Sequence, residues 1–218
     1  MSFLNLPNET ILQIARDQEP RDLYALLRVN KRLAFLLRIA LIDRVCELRK
    51  GQMCKNALYT AASRGDTVIV QRLLDRGVLG FVGDGALLND AVMRLDGAGL
   101  RVLLDCGVDP ETRDEEQQTP LSVAAKNDRL DAVKLLIDNK RVDLNSVDRT
   151  GRTPLSFAAG NGHVAVVKVL LSGTGVDPNK VPRTNEIRVA ALGRWIHYFA
   201  PRFIIIVQLL QQKKKEKK

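Results

Sequence analysis

The side chains of this 218-residue chain that could do chemistry by type are few: His163 and His197, Cys46, Cys54 and Cys106, and the acidic run Asp114-Glu115-Glu116. Nucleophilic catalysis needs a base within hydrogen-bond reach of the nucleophile and a third group to orient that base. Neither histidine has a convincing triad or metal partner. Three cysteines fit neither a disulfide framework nor a zinc spacing, and are expected as reduced thiols. The acidic run could hold a cation or act as paired acids, but it falls on an expected loop, where solvated acids are ordinary. No phosphate-binding loop, dinucleotide fingerprint, HExxH or nucleophile elbow occurs. The chain is expected to be no enzyme and to use no cofactor or metal.

The elements carrying these residues are set by a repeat. Thr119-Pro120-Leu121 and Thr153-Pro154-Leu155 lie thirty-four positions apart, and each opens the same pattern. Leu121 leads to Ala124-Ala125, Ala132-Val133 and Leu136-Ile137; Leu155 leads to Ala158-Ala159, Val166-Val167 and Leu170-Leu171. This spacing predicts two short helices per unit, stacked as a solenoid because one unit cannot bury its apolar face alone. Proline presets φ and wastes no N–H in a first helical turn, and the preceding threonine can accept a hydrogen bond from an orphan amide. Small paired alanines allow close stacking, and the leucine pairs fill the layer behind. Asp109 and Asp177, in Gly107-Val108-Asp109-Pro110 and Gly175-Val176-Asp177-Pro178, read as turn formers.

The Thr-Pro-Leu opening, the alanine pair, Gly162-His163 and the Val-Val/Leu-Leu helix resemble the ankyrin repeat. Weaker copies extend upstream. Leu58, Ala61-Ala62, Gly65, Ile69-Val70 and Leu73-Leu74 match one unit; Leu88, Ala91-Val92 and Leu103-Leu104 match another. In the latter, Leu95 stands at the expected glycine and Gly97 and Gly99 loosen the second helix, at roughly 1 kcal/mol per helical glycine. It is therefore the expected soft spot. The resemblance implies a recognition surface at loop tips and exposed first-helix positions. Those are Arg64, Arg94, Lys126 and Asn127 on first helices, with Arg113, Asp114, Glu115, Gln117, Arg149, Arg152 and Arg183 at loops. Several are basic, so an acidic or phosphorylated protein target is expected.

The first fifty residues differ. Leu6-Pro7-Asn8-Glu9 opens a short helix with Ile11, Leu12 and Ile14; Pro20 to Val29 form a second, and Leu33 to Leu41 a third. Three short helices bury too little to be comfortable alone, so their aliphatics pack on the first repeat or face a partner. Leu6-Pro7-x-Glu9, Ile11-Leu12-x-Ile14 and Arg21-Asp22-Leu23 through Leu33 look like an F-box. That resemblance implies docking on a Skp-type adaptor of a cullin ligase through Leu6, Pro7, Ile11, Ile14, Leu23, Leu26, Val29 and Leu33. An F-box followed by ankyrin repeats resembles the ankyrin F-box proteins of filamentous fungi, and implies a ubiquitin-ligase substrate receptor. The alternative is a non-ligase scaffold whose N-terminal helices cap the array.

The formal charge of +9 owes much to the terminal run Lys213 to Lys218 and to basic residues between Arg28 and Lys55. No aromatic reader face accompanies them, so direct nucleic-acid binding is not expected. No apolar run is long enough to span a bilayer. A monomer located in cytoplasm, nucleus or both is expected. The fold class is all-α: an F-box-like module over 1–48, about four ankyrin repeats over 54–184, an irregular or partial repeat over 185–212 interrupted at 193–205, and a basic tail over 213–218.

Overall fold

The computed structural model describes residues 6–16, 18, 22, 37, 38, 40, 42, 43, 46, 47, 51–82, 84–172, 175–177, 208, 209 and 212, and the regular structure among them is entirely helical. Residues 185–205 and the lysine tail lie outside the described residues. The chain forms two compact units, Met1–Gly83 and Asp84–Lys218. The division falls after the first repeat-like helix pair, whereas the sequence suggests a boundary near residue 50.

The second unit holds three helix pairs. These are α5 (Asp84–Arg94) with α6 (Gly97–Asp105), α7 (Pro120–Lys126) with α8 (Leu130–Ile137), and α9 (Pro154–Gly160) with α10 (Val164–Ser172). First helices pack on first helices in the order α5, α7, α9, and second helices in the order α6, α8, α10. The sequence dictates this layering. Thr119 Oγ1 accepts the Ser122 amide at 3.3 Å and Thr153 Oγ1 accepts the Ser156 amide at 3.2 Å, each with proline in the first turn, so the first helices start where Thr-Pro stands. Ala124, Ala125 and Ala158 are fully buried between neighbouring first helices, while Val133, Leu136, Val166, Val167 and Leu170 are fully buried in the second layer. Each such aliphatic contributes about 1.5–3 kcal/mol by leaving water.

Departures from the repeat have local causes. The turn between the helices of a pair is left-handed at Gly65 and Gly162, and at Asp128, with φ of 55°, where the intervening copy lacks glycine. Gln117, with φ of 60°, likewise stands one repeat before Gly151. A side chain in this region costs roughly 1 kcal/mol or more, so this middle copy carries two strained residues that its neighbour avoids. The expected soft spot is corrected in detail. Gly97 and Gly99 occupy the first turn of α6, not its middle, and Asp96 Oδ1 accepts the Gly99 amide at 2.8 Å. A first-turn glycine escapes much of the mid-helix penalty.

In the first unit, α1 (Asn8–Arg16), α2 (Gly51–Ser63), α3 (Thr67–Asp75) and α4 (Val78–Val82) are joined by helical positions between Leu37 and Glu47. Ile11, Leu37, Cys54, Leu58, Val70 and Leu73 are fully buried. Asp43 accepts from Arg72 Nε at 3.1 Å and Nη2 at 2.9 Å, and pairs with Arg76 at 3.0 Å. Arg38 pairs with Asp66 at 3.2 Å. The N-terminal segment is thus fastened to the α2–α3 pair. Burial, then the neighbouring Cys54, pushes the Cys46 thiol up to about 11, and burial also raises Cys54 and Cys106. Cys46 and Cys54 are buried packing thiols, and burial disfavours the thiolate at all three.

Candidate functional site

The loops between pairs are organised by one acid each. Asp114 Oδ1 accepts the Glu116 amide at 3.0 Å and the Gln118 amide at 2.8 Å, and its Oδ2 accepts from Asn89 Nδ2 at 3.1 Å. One repeat later, Asp148 Oδ1 accepts the amides of Thr150 and Arg152 and the Thr150 hydroxyl, all at 2.8 Å, while Oδ2 accepts from Arg152 Nε at 3.2 Å. Burial alone would raise the Asp148 carboxyl. The hydrogen bonds and the Arg152 charge outweigh burial and hold it below the ordinary range.

Other polar groups bind repeat to repeat. Arg113 Nη1 donates to the carbonyls of Gln117 at 3.2 Å and Val147 at 2.9 Å. Arg129 Nη2 donates to Leu95 O at 2.6 Å. Asn161 Nδ2 and the His163 ring meet the Lys126 carbonyl at 2.8 and 3.0 Å, which gives that histidine a capping role. On the far side of the loops, the Asp143 amide donates to Glu111 Oε1 at 2.9 Å and the Asp177 amide to Asn145 Oδ1 at 2.7 Å. Asp109 Oδ1 accepts the Glu111 amide at 3.0 Å, the turn expected of it. Burial raises the Glu111 carboxyl, against the opposing Asp143 hydrogen bond.

These contacts sort the expected recognition residues. Asp114 is a loop organiser, Arg113 a staple between adjacent loops, and Asn127 caps its own helix by donating to Val123 O at 2.8 Å. Their polar groups serve the scaffold first. Arg64, Glu115, Gln117, Lys126 and Arg149 are exposed, and Arg94 is exposed while paired with Asp90 at 2.8 Å. Arg152 lies with its guanidinium 4.4 Å from the Phe157 ring centroid, and Lys126 Nζ lies 5.6 Å from the same centroid. Arg183 lies outside the described residues.

Among the positions expected to meet an adaptor, Ile11 is fully buried and belongs to the core of the first unit. Pro7 and Ile14 are exposed and Leu6 is half-buried; Leu23, Leu26, Val29 and Leu33 lie outside the described residues. Phe157 was missed by sequence reasoning, although it stands where the preceding repeats carry Val123 and Asp90. Asn89 and Thr112 each keep a buried oxygen without a partner. For Thr112 the reason is legible in the repeat. Its counterpart Ser146 meets the Thr119 hydroxyl at 3.0 Å, and the position matching Thr119 one repeat earlier is Ala86, a residue type with no hydroxyl.

No group of three or more His, Cys, Asp or Glu among the described residues could hold a metal ion, and no described helix is long and apolar enough to cross a membrane. No curated protein sequence matches the chain. The crystal structure of EF0377, an ankyrin repeat protein, is similar with a TM-score of 0.57 and 26% identity, over 72% of this chain and 80% of that one. The family model described as ankyrin repeats, three copies, matches residues 88–181. The match leaves the α2–α3 pair outside. The chain therefore carries three ankyrin repeats over residues 88–181, units whose role is protein–protein interaction.

Proposed function

We propose that this chain is the substrate receptor of a Skp/cullin/F-box ubiquitin ligase, with the ankyrin repeats holding a protein target and the N-terminal segment meeting the adaptor. The observation that supports it is the two-sidedness of α1. Ile11 and Ala15 are buried, whereas Pro7 before the helix and Ile14 on it are exposed. Exposed apolar residues flanking a buried stripe suit a helix that packs on its own unit and offers its other side to a partner. The resemblance of residues 6–33 to an F-box names the adaptor. A receptor works by proximity, raising the local concentration of target beside a conjugating enzyme, so it needs no catalytic group of its own. Cytoplasm or nucleus suits its three free thiols.

A second reading rests on Asp43. Its pairing with Arg72 and Arg76, beside the Arg38–Asp66 pair, fits a segment that only caps the α2–α3 pair. Calorimetric titration of the full chain with purified Skp-type adaptor separates the two. The receptor reading expects binding that a Pro7→Ala/Ile14→Ala double variant weakens about tenfold or more while its helicity is retained. A folded wild-type chain that takes up no adaptor leaves the cap reading.

A further inference from the structure

We propose that Lys126, Arg152 and Phe157 form a seat for a carboxylate side chain within an acidic peptide segment of the partner protein, which deepens the target-holding reading above and rests on it. Phe157 is only 4% exposed, and both cations lie over its ring. Arg152 is held from behind. Its Nε donates to Asp148 Oδ2 at 3.2 Å and to Thr150 Oγ1 at 2.8 Å, which fixes the plane of the guanidinium. Nη1 and Nη2 make no hydrogen bond to the described residues, and the side chain is 41% exposed. A guanidinium oriented through Nε with its end open presents two parallel donors, the arrangement that suits a carboxylate. Lys126 Nζ has no hydrogen-bond or ion-pair partner among the described residues and adds a second positive charge over the same ring.

The seat arises at one repeat junction. One repeat before Phe157 stands Val123, before Arg152 stands Gln118, which is buried, and after Lys126 stands Gly160. Charge complementarity here is local and not a property of the whole array. Residues 84–177 carry 15 acidic and 11 basic side chains, so the general positive charge of the chain resides outside them. An acidic segment is therefore recognised by this oriented pair and not by long-range attraction, which screened water weakens within about 10 Å. Desolvating a pre-oriented guanidinium by docking an apolar neighbour of the acid beside it would strengthen the contact.

Random peptides displayed on phage, selected against the full chain, test the seat. Enriched peptides are then measured by fluorescence anisotropy against wild type, Lys126→Glu and Arg152→Gln, with circular dichroism as the folding control. The seat predicts a consensus containing Asp or Glu. It predicts affinity reduced about tenfold or more by Lys126→Glu, by Arg152→Gln and by amide replacement of the peptide acid. Lys126→Glu is the decisive variant, because the Lys126 side chain is exposed and only its backbone carbonyl takes part in the hydrogen bonds between repeats. Neutral or basic peptides, or acidic peptides that bind the folded Lys126→Glu variant undiminished, overturn the seat and leave the repeats a binding unit. Failure to enrich any peptide against the folded chain removes both.

Discussion

Leu121→Ala lowers the unfolding free energy by about 2–5 kcal/mol, the cost of lost transfer energy plus a cavity in a packed interior. Leu121 is fully buried on α7, the helix that packs on α5 before it, on α9 after it and on its own partner α8. A void there opens in the helix on which all three of these neighbours pack, and the Thr-Pro opening fixes where that short helix starts. Because each repeat contacts only its neighbours, the loss is felt as weakened coupling along the array. Chemical denaturation followed by circular dichroism checks the prediction: the midpoint falls, and a second transition emerges when the coupling becomes too weak for the array to melt as one. A midpoint within the error of wild type would show that α7 is not packed in this way.

Asp148→Asn costs about 1–3 kcal/mol at neutral pH, because an amide oxygen cannot serve the donors that the carboxylate serves and its NH2 faces Arg152. The Asp148 side chain is 2% exposed and accepts from two amides, a hydroxyl and a guanidinium, so water is poorly placed to compensate. Its dependence on pH has a definite sign. The folded carboxyl titrates below its ordinary value of 3.8. The stabilisation is therefore complete above that value and is lost as pH falls through the lower, folded one. Unfolding experiments on wild type and variant should show a gap that is constant from neutral pH down to mildly acid conditions and closes in stronger acid. A gap that opens as pH falls would contradict this role for Asp148.

The helices were legible in the sequence because their signals are local. Thr119-Pro120 and Thr153-Pro154 carry cap and first turn within two residues, and the alanine and leucine pairs mark the buried faces. The loop acids were not. Asp114 and Glu115 are adjacent and chemically alike, yet one is turned inward to two amides and Asn89 while the other is exposed. Which acid is consumed depends on where the following amides fall, and that is a property of the folded loop. Arg113 was misleading for the same reason: its partner Val147 O is thirty-four residues away. Phe157 carried no signal in the repeat pattern, and it is core by burial; only the two cations over its ring give it a further use. The grouping of the N-terminal segment with α2 and α3 rests on pairs such as Asp43 with Arg72, twenty-nine residues apart, which no spacing rule foretells.

A recognition scaffold of this kind depends on loops that are ordered before any partner arrives, since ordering them on binding would cost affinity. Amide hydrogen exchange of the full chain measures that order directly. The amides of Gln118 and Arg152, each donated at 2.8 Å to the carboxylate of Asp114 or Asp148, are expected to exchange at least about tenfold more slowly than the exposed Glu115 amide in the same loop system. Exchange of Gln118 and Arg152 as fast as that of Glu115 would mean that the loops are not held by their acids, and would contradict a preformed binding surface.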